Sequence, residues 1–152
     1  MDIILPERIS IEEAYMSMAE VWAKRSYATR AHVGALIVKD NQIISDGYNG
    51  MPIGFPNEQM EFVNEQGNVE TSPLALHAES NALLKMVRNG SGISSLGADM
   101  YVTLSPCVNC AKLIIQAQIK RVFYRTQYRI TDSFPILKQA GIEVIHLPYP
   151  FE

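Results

Sequence analysis

Cysteine is nearly missing from this chain: among 152 residues there are two, Cys107 and Cys110. That excludes a multi-disulfide scaffold, which a chain long enough to bury its own core does not need. No apolar run approaches the ~18 residues that span a bilayer, so a helical membrane protein is excluded as well. The opening Met1-Asp2-Ile3-Ile4-Leu5-Pro6 has neither a basic flank nor a long apolar stretch. It is not read as a secretory signal, and the cytoplasm is the expected compartment. Basic charge is not in excess: 13 Lys and Arg stand against 16 Asp and Glu, a formal net charge of −3. A domain that grips a polynucleotide backbone needs a basic face, so this balance argues against a nucleic-acid partner. Internal repeats, low-complexity tracts and linkers are also lacking, and the length predicts one domain over 1–152 rather than two.

What is present is globular composition, 47% hydrophobic and 19% charged. Ser10-Ile11-Glu12-Glu13 forms a capping box, and Ile11, Ala14, Tyr15, Met18, Ala19 and Trp22 recur at helical spacing, predicting a helix over about 10–28. Gly34 to Val38 reads as a buried strand, Asp40-Asn41 as a turn, and Gln42 to Tyr48 as its hairpin partner. Residues 49–73, punctuated by glycine and proline, read as a long loop or lid with one or two helical turns. Ser72-Pro73 predicts the start of a helix over about 73–89. Strands follow at 100–104, 122–124 and 142–145, with helices from Ser105-Pro106 to about 119 and over about 131–140. Alternating strands and helices in the second half imply parallel pairing. The expected fold is α/β, three layers around a mixed five-stranded sheet.

The stock of soft metal ligands is five side chains: the two cysteines and His32, His77 and His146. Cys107 and Cys110, three apart at a helix start, share a face, and a helix N-terminus favours their thiolate forms. With His77 they make a three-ligand set that suits zinc and leaves one tetrahedral position for water. Glu79, two residues past His77, is then placed to take a proton from that water and return it to a substrate nitrogen. The combination His-Ala-Glu followed by Pro-Cys-Val-Asn-Cys matches the signature of zinc nucleobase deaminases. Taken alone, the Cys-x-x-Cys pair also fits a redox dithiol, and His32 or His146 as a fourth ligand would make a closed structural zinc site. His146, at the end of an apolar strand, reads as a structural histidine.

Beyond these motifs the chain resembles the deoxycytidylate (dCMP) deaminase family of the cytidine deaminase-like superfamily. The resemblance runs from about Glu20 to Gly141. It is carried by Lys24-Arg25-Ser26, Val33-Gly34-Ala35, Gly47-Tyr48-Asn49-Gly50-Met51-Pro52, His77 to Ala82, and Pro106-Cys107 through Ala117. It implies catalytic zinc on His77, Cys107 and Cys110, proton transfer by Glu79, and hydrolysis of dCMP to dUMP and ammonia. It further implies Asn49 on the deoxyribose, the Ala78 N–H on the pyrimidine O2, the Ser105 carbonyl on the leaving amine, and Arg25, Ser26 and Tyr128 on the 5′-phosphate. It also implies a homohexamer, activation by dCTP with Mg2+, inhibition by dTTP, and effector sites near Gly47, Tyr48, Asn49 and Gly50.

The chain departs from the family at three places. Arg25-Ser26-Tyr27-Ala28 and Phe55-Pro56-Asn57-Glu58 lack the cysteines that hold a second, structural zinc in several members, so one zinc per chain is expected. Gln118 stands where the family has a glycine suited to a left-handed cap, at a cost of about 1 kcal/mol. The lid sequence 55–73 follows the family poorly. Two other functions compete: a tRNA adenosine or free-base deaminase, opposed by the acidic balance and the 47–52 segment, and a non-catalytic nucleotide-binding subunit.

Overall fold

Helix α1 spans Ile11–Ala23, entered through Ser10, whose Oγ accepts the Glu13 N–H at 3.0 Å. Half of the expected capping box forms: the Glu13 carboxylate turns away to Arg125 and Ser17. The helix ends five residues earlier than its periodicity predicts. The Arg25 and Ser26 N–H groups close on the Trp22 and Ala23 carbonyls, and the Ser26 Oγ then bonds the Asn49 carbonyl and the Ala28 N–H, turning the chain toward the sheet. The computed structural model describes residues 1–90 and 92–150.

Strands β1 (Gly34–Lys39) and β2 (Gln42–Tyr48) form the expected antiparallel hairpin. Asp40 and Asn41 both take left-handed φ, 50° and 59°, the pattern of a two-residue turn whose twist matches the strands. β5 (Asp99–Leu104), β6 (Arg121–Thr126) and β7 (Glu143–His146) complete a five-stranded sheet in the order β2-β1-β5-β6-β7. β1 runs antiparallel to β5, whereas β5, β6 and β7 are parallel. This is the mixed α/β sheet that the sequence implies.

Side-chain alternation divides the core between the two faces of the sheet. Leu36, Val38, Tyr101 and Phe123 pack with Tyr15, Met16 and Ala19 of α1. Ala35, Ile37, Met100, Val102, Val122 and Tyr124 point the other way, toward helices α2 (Ala78–Asn89), α3 (Val108–Gln116) and α4 (Ser133–Gln139). The closest approaches are made at glycine. A Cβ on Gly34 would sit 2.0 Å from the Ala19 carbonyl oxygen, and one on Gly47 would sit 2.6 Å from that of Ala78. Gly47 therefore lets α2 lie directly on β2, which fixes where the helix presents its N-terminus.

Two helix starts differ from expectation. Ser72 and Pro73 open a turn, with the Ser72 Oγ accepting from Leu74 and its carbonyl from Ala75. Leu76 then exchanges backbone hydrogen bonds with Gly50 at 2.8 and 3.0 Å, so its polar groups are unavailable to a helix. α2 begins at Ala78, with His77 as its N-cap. Likewise the Ser105 N–H extends the β5–β6 pairing to Thr126, and α3 starts after Cys107.

The 49–73 segment holds the expected helical turn, a 3₁₀ turn at Asn57–Gln59, and also a hairpin of β3 (Glu61–Val63) with β4 (Val69–Thr71). Its tip is an Asx turn, in which the Asn64 Oδ1 accepts from Gln66 and Asn68, and Gly67 has φ +83°.

Candidate active site

Two helix N-termini converge on one point. His77 caps α2, Cys107 caps α3, and Cys110 lies in the first turn of α3. The His77 Nδ1 stands 3.5 Å from the Cys107 Sγ and 3.3 Å from the Cys110 Sγ, and all three donor atoms lie within 4.8 Å of one another. A tetrahedral zinc with ordinary Zn–N and Zn–S bonds sets such N···S separations at about 3.5 Å, so the three donors fit that ion in number, softness and spacing. Neither remaining histidine joins them. The His32 Nε2 pairs with the Ala28 carbonyl, and the His146 Nε2 lies 2.9 Å from the Arg125 carbonyl with its ring stacked on Tyr124. The closed structural site and the fourth-histidine alternative thus find no support among the described residues.

The electrostatics are those of a shared site. Contact with the Cys110 thiol, then with His77, pulls the Cys107 thiol down to about 3. Cys110 goes the other way, raised first by its contact with Cys107 and then by burial. The pair is thus organised around one thiolate, the anionic form a metal ion takes up. His77 is raised, chiefly by its hydrogen bond with Cys107. Glu79, 3% exposed in the first turn of α2, is pushed up by burial.

A cavity of about 430 Å³ opens over this cluster. His77, Ala78, Glu79, Cys107, Ser105, Asn49 and Tyr128 all line it. Asn49 is held on both ends of its amide: its Oδ1 accepts from the Val33 N–H at 2.9 Å and its Nδ2 donates to the Ala31 carbonyl at 2.8 Å. One lone pair and one N–H remain for a ligand. The buried Ser105 hydroxyl accepts the Tyr128 N–H at 2.7 Å, tying the loop after β6 to the end of β5. Arg25 and Ser26 do not line the cavity. Ser26 reaches it only indirectly, by holding the Asn49 carbonyl at 2.9 Å. Gly47, Tyr48 and Gly50 lie alongside: Gly47 against α2, the Tyr48 ring edge-on to Trp22, and Gly50 bridged to Leu76.

Several lining residues were not singled out by sequence reasoning, above all Arg30, Met60, Glu61, Thr71 and Arg129. Glu61 accepts from the Thr29 N–H and hydroxyl and pairs with Arg30 at 3.6 Å. Arg30 also donates to the Val69 carbonyl and the Thr71 Oγ1, so it latches the β3–β4 hairpin over the cavity. The available signal was the pattern Glu61-Phe62-Val63, a turn rich in asparagine and glycine, then Val69-Glu70-Thr71.

Comparison with known proteins agrees with this geometry. The family model described as the cytidine and deoxycytidylate deaminase zinc-binding region matches residues 9–126. The chain is 36% identical over 142 residues to ComE operon protein 2 of Bacillus subtilis, covering 91% of this chain and 71% of that protein. It is 36% identical over 171 residues to the deoxycytidylate deaminase of Enterobacteria phage T4, covering 88% of each. Among solved structures, the dCMP deaminase of cyanophage S-TIM5 in complex with dCMP and dUMP superposes with a TM-score of 0.83 at 43% identity, covering 93% of this chain and all of that one. With the His/Cys/Cys cluster and the mixed sheet in place, the chain belongs to the cytidine and deoxycytidylate deaminase zinc-binding family.

Proposed function

We propose that this protein hydrolyses dCMP to dUMP and ammonia. The observation that carries the reading is Glu79, buried two residues from His77 and facing, with His77 and Cys107 of the metal cluster, a cavity of nucleotide size. The identity to the T4 deoxycytidylate deaminase and the S-TIM5 neighbour solved with dCMP and dUMP support the choice of substrate.

His77, Cys107 and Cys110 would hold zinc, which supplies a Lewis acid able to make water nucleophilic near neutral pH. The Glu79 carboxylate accepts a proton from the attacking water and delivers it to the ring N3, which makes C4 electrophilic. Water oxygen bonds to C4, the C4–N bond breaks, and Glu79 passes the second proton to the departing amine. The product is a uracil carbonyl with one ammonia. The Ala78 N–H, at the open start of α2, meets the pyrimidine O2, and the Ser105 carbonyl accepts from the leaving amine. The free hydrogen-bonding capacity of Asn49 meets the deoxyribose, and Tyr128 flanks the phosphate end.

The proposal includes one zinc per chain and Mg2+ only in the company of nucleotide effectors. Activation by dCTP and inhibition by dTTP near Gly47–Gly50, assembly into hexamers and a cytoplasmic location are its outermost parts, supported by the family resemblance. Among the described residues no helix is long and apolar enough to cross a membrane.

Ammonia release measured side by side on dCMP, dCTP, cytidine and a tRNA anticodon stem tests the reading. Turnover of dCMP well above the other three is expected. Preference for cytidine or for the tRNA stem would contradict it.

A further inference from the structure

The β3–β4 hairpin borders the cavity, yet few bonds hold it to the rest of the molecule. Its strands are three residues each and pair only with each other, in a two-stranded sheet apart from the main one. A ribbon of that size is not stable in water by itself. Its root is tied firmly: the Ser72 N–H donates to the carbonyl of buried Met60, and Gly50 and Leu76 exchange backbone hydrogen bonds just beyond. Above the root, from residue 61 to residue 71, every hydrogen bond and ion pair that leaves the hairpin for another described residue ends on Thr29 or Arg30. Thr29 donates its N–H and its hydroxyl to the Glu61 carboxylate of β3. The Arg30 guanidinium pairs with Glu61 at 3.6 Å, donates to the Val69 carbonyl at 3.0 Å and bonds the Thr71 hydroxyl, so it grips both strands. The segment that carries these two residues is itself fixed. The Ser26 hydroxyl accepts the Ala28 N–H, and the two ends of the Asn49 amide hold Ala31 and Val33.

We infer that the hairpin is a gate on the active-site cavity, hinged at its root, and that Arg30 is the positioning residue that latches it shut over a bound nucleotide. In naming a nucleotide as what is enclosed, the inference rests on the dCMP reading above. Met60, Glu61 and Thr71 line the cavity from the hairpin side, so closure there excludes water from the reacting groups and opening lets ligand pass. None of the six strand residues is buried, so opening breaks no core packing. The latch is also of the right strength. The Arg30 side chain is 51% exposed, and polar contacts of such a residue are weak enough to break and re-form while the fold stays intact.

Glu58, Glu61, Glu65 and Glu70 lie in or beside the hairpin, so a glutamate-specific endoprotease reports its opening. The zinc-loaded wild type is compared with Arg30→Met, Arg30→Lys and Thr71→Val, which all keep these cleavage sites. Arg30→Met removes the ion pair and both Arg30 hydrogen bonds. It is expected to speed cleavage within 58–70 about 5- to 20-fold, with the melting temperature little changed. Arg30→Lys recovers part of the protection, and Thr71→Val loses less of it than Arg30→Met. Saturating dUMP slows cleavage of the wild type. In Arg30→Met the association and dissociation rates of dUMP rise by a similar factor while Kd moves less than either, which distinguishes a gate from a ligand contact. A wild-type cleavage rate in Arg30→Met overturns the inference, as does a raised Kd with unchanged cleavage. If Arg30→Met does not fold, a wild-type cleavage rate in Thr71→Val overturns it instead. The cleavage comparison needs no ligand, so a wild type that binds no dUMP contradicts the dCMP reading and leaves the latch standing.

Discussion

Gln118 shows how a single residue departs from its neighbours without touching the chemistry. It closes α3 with φ +57°, its N–H bonded to the Ile115 carbonyl and the following Ile119 N–H bonded to that of Ile114. This is a Schellman closure with an apolar contact between Ile114 and Ile119, both buried. A side chain in the left-handed region is disfavoured against its own carbonyl, and the closure persists because the core holds both isoleucines. Gln118→Gly is expected to stabilise the protein by about 1 kcal/mol, read from urea unfolding, with dCMP turnover unchanged. A destabilised variant would show that the glutamine side chain makes a compensating contact. The cap at Gln118 was legible only through the glycine that the resembled family has there, since helical periodicity carries the helix on to about 119, whereas it ends at Gln116. Arg30 and Arg129 were not, since their place at the cavity depends on the company that other loops bring, as Glu61 does for Arg30.

Between elements, the strongest tie lies on the α1 face of the sheet. Arg125 of β6, its side chain 1% exposed, donates to Glu13 and Glu20 of α1 and to the Leu147 and Pro148 carbonyls, and its guanidinium stacks on Tyr149 at 4.6 Å. Helix, strand and C-terminal segment are thereby clasped by one cation. The hydrogen bond from Arg125 holds the Glu13 carboxyl below the ordinary carboxylate range. A carboxyl depressed in the folded state stabilises above its unfolded value, near 4.5, and that contribution is lost as pH falls through the folded value. Melting temperature is therefore expected to drop below about pH 4.5, and Glu13→Gln to shrink the drop between pH 5.5 and 3.5. Arg125→Met, which strands two carboxylates, is expected to cost about 3 kcal/mol at neutral pH. Equal acid sensitivity in wild type and Glu13→Gln would show that the clasp does not govern it. The strands of the five-stranded sheet were legible from short apolar runs and the hairpin turn between the first two, whereas the β3–β4 pair was not. The starts of α2 and α3 were not, because Leu76 and Ser105 spend their backbone groups on partners far along the chain, which periodicity does not register.

At the scale of the whole molecule, an acidic body of net charge −3 carries a cavity lined by two arginines, Arg30 and Arg129, an arrangement suited to a small anion and poorly suited to a polynucleotide. The metal cluster was legible because both halves are local: His77 and Glu79 lie within one turn, and so do Cys107 and Cys110. The fold supplies their meeting, through the close seat of α2 at Gly47 and the delivery of α3 from the end of β5. The central claim is that this cluster holds the zinc while Glu79 moves the protons. Glu79→Gln, isosteric and unable to accept a proton, tests it most directly, with zinc per chain and dCMP turnover measured on the same preparation. The account predicts one zinc per chain, as in the wild type, and a loss of turnover of about 10³-fold or more. Near-normal turnover in a zinc-loaded Glu79→Gln protein would contradict it.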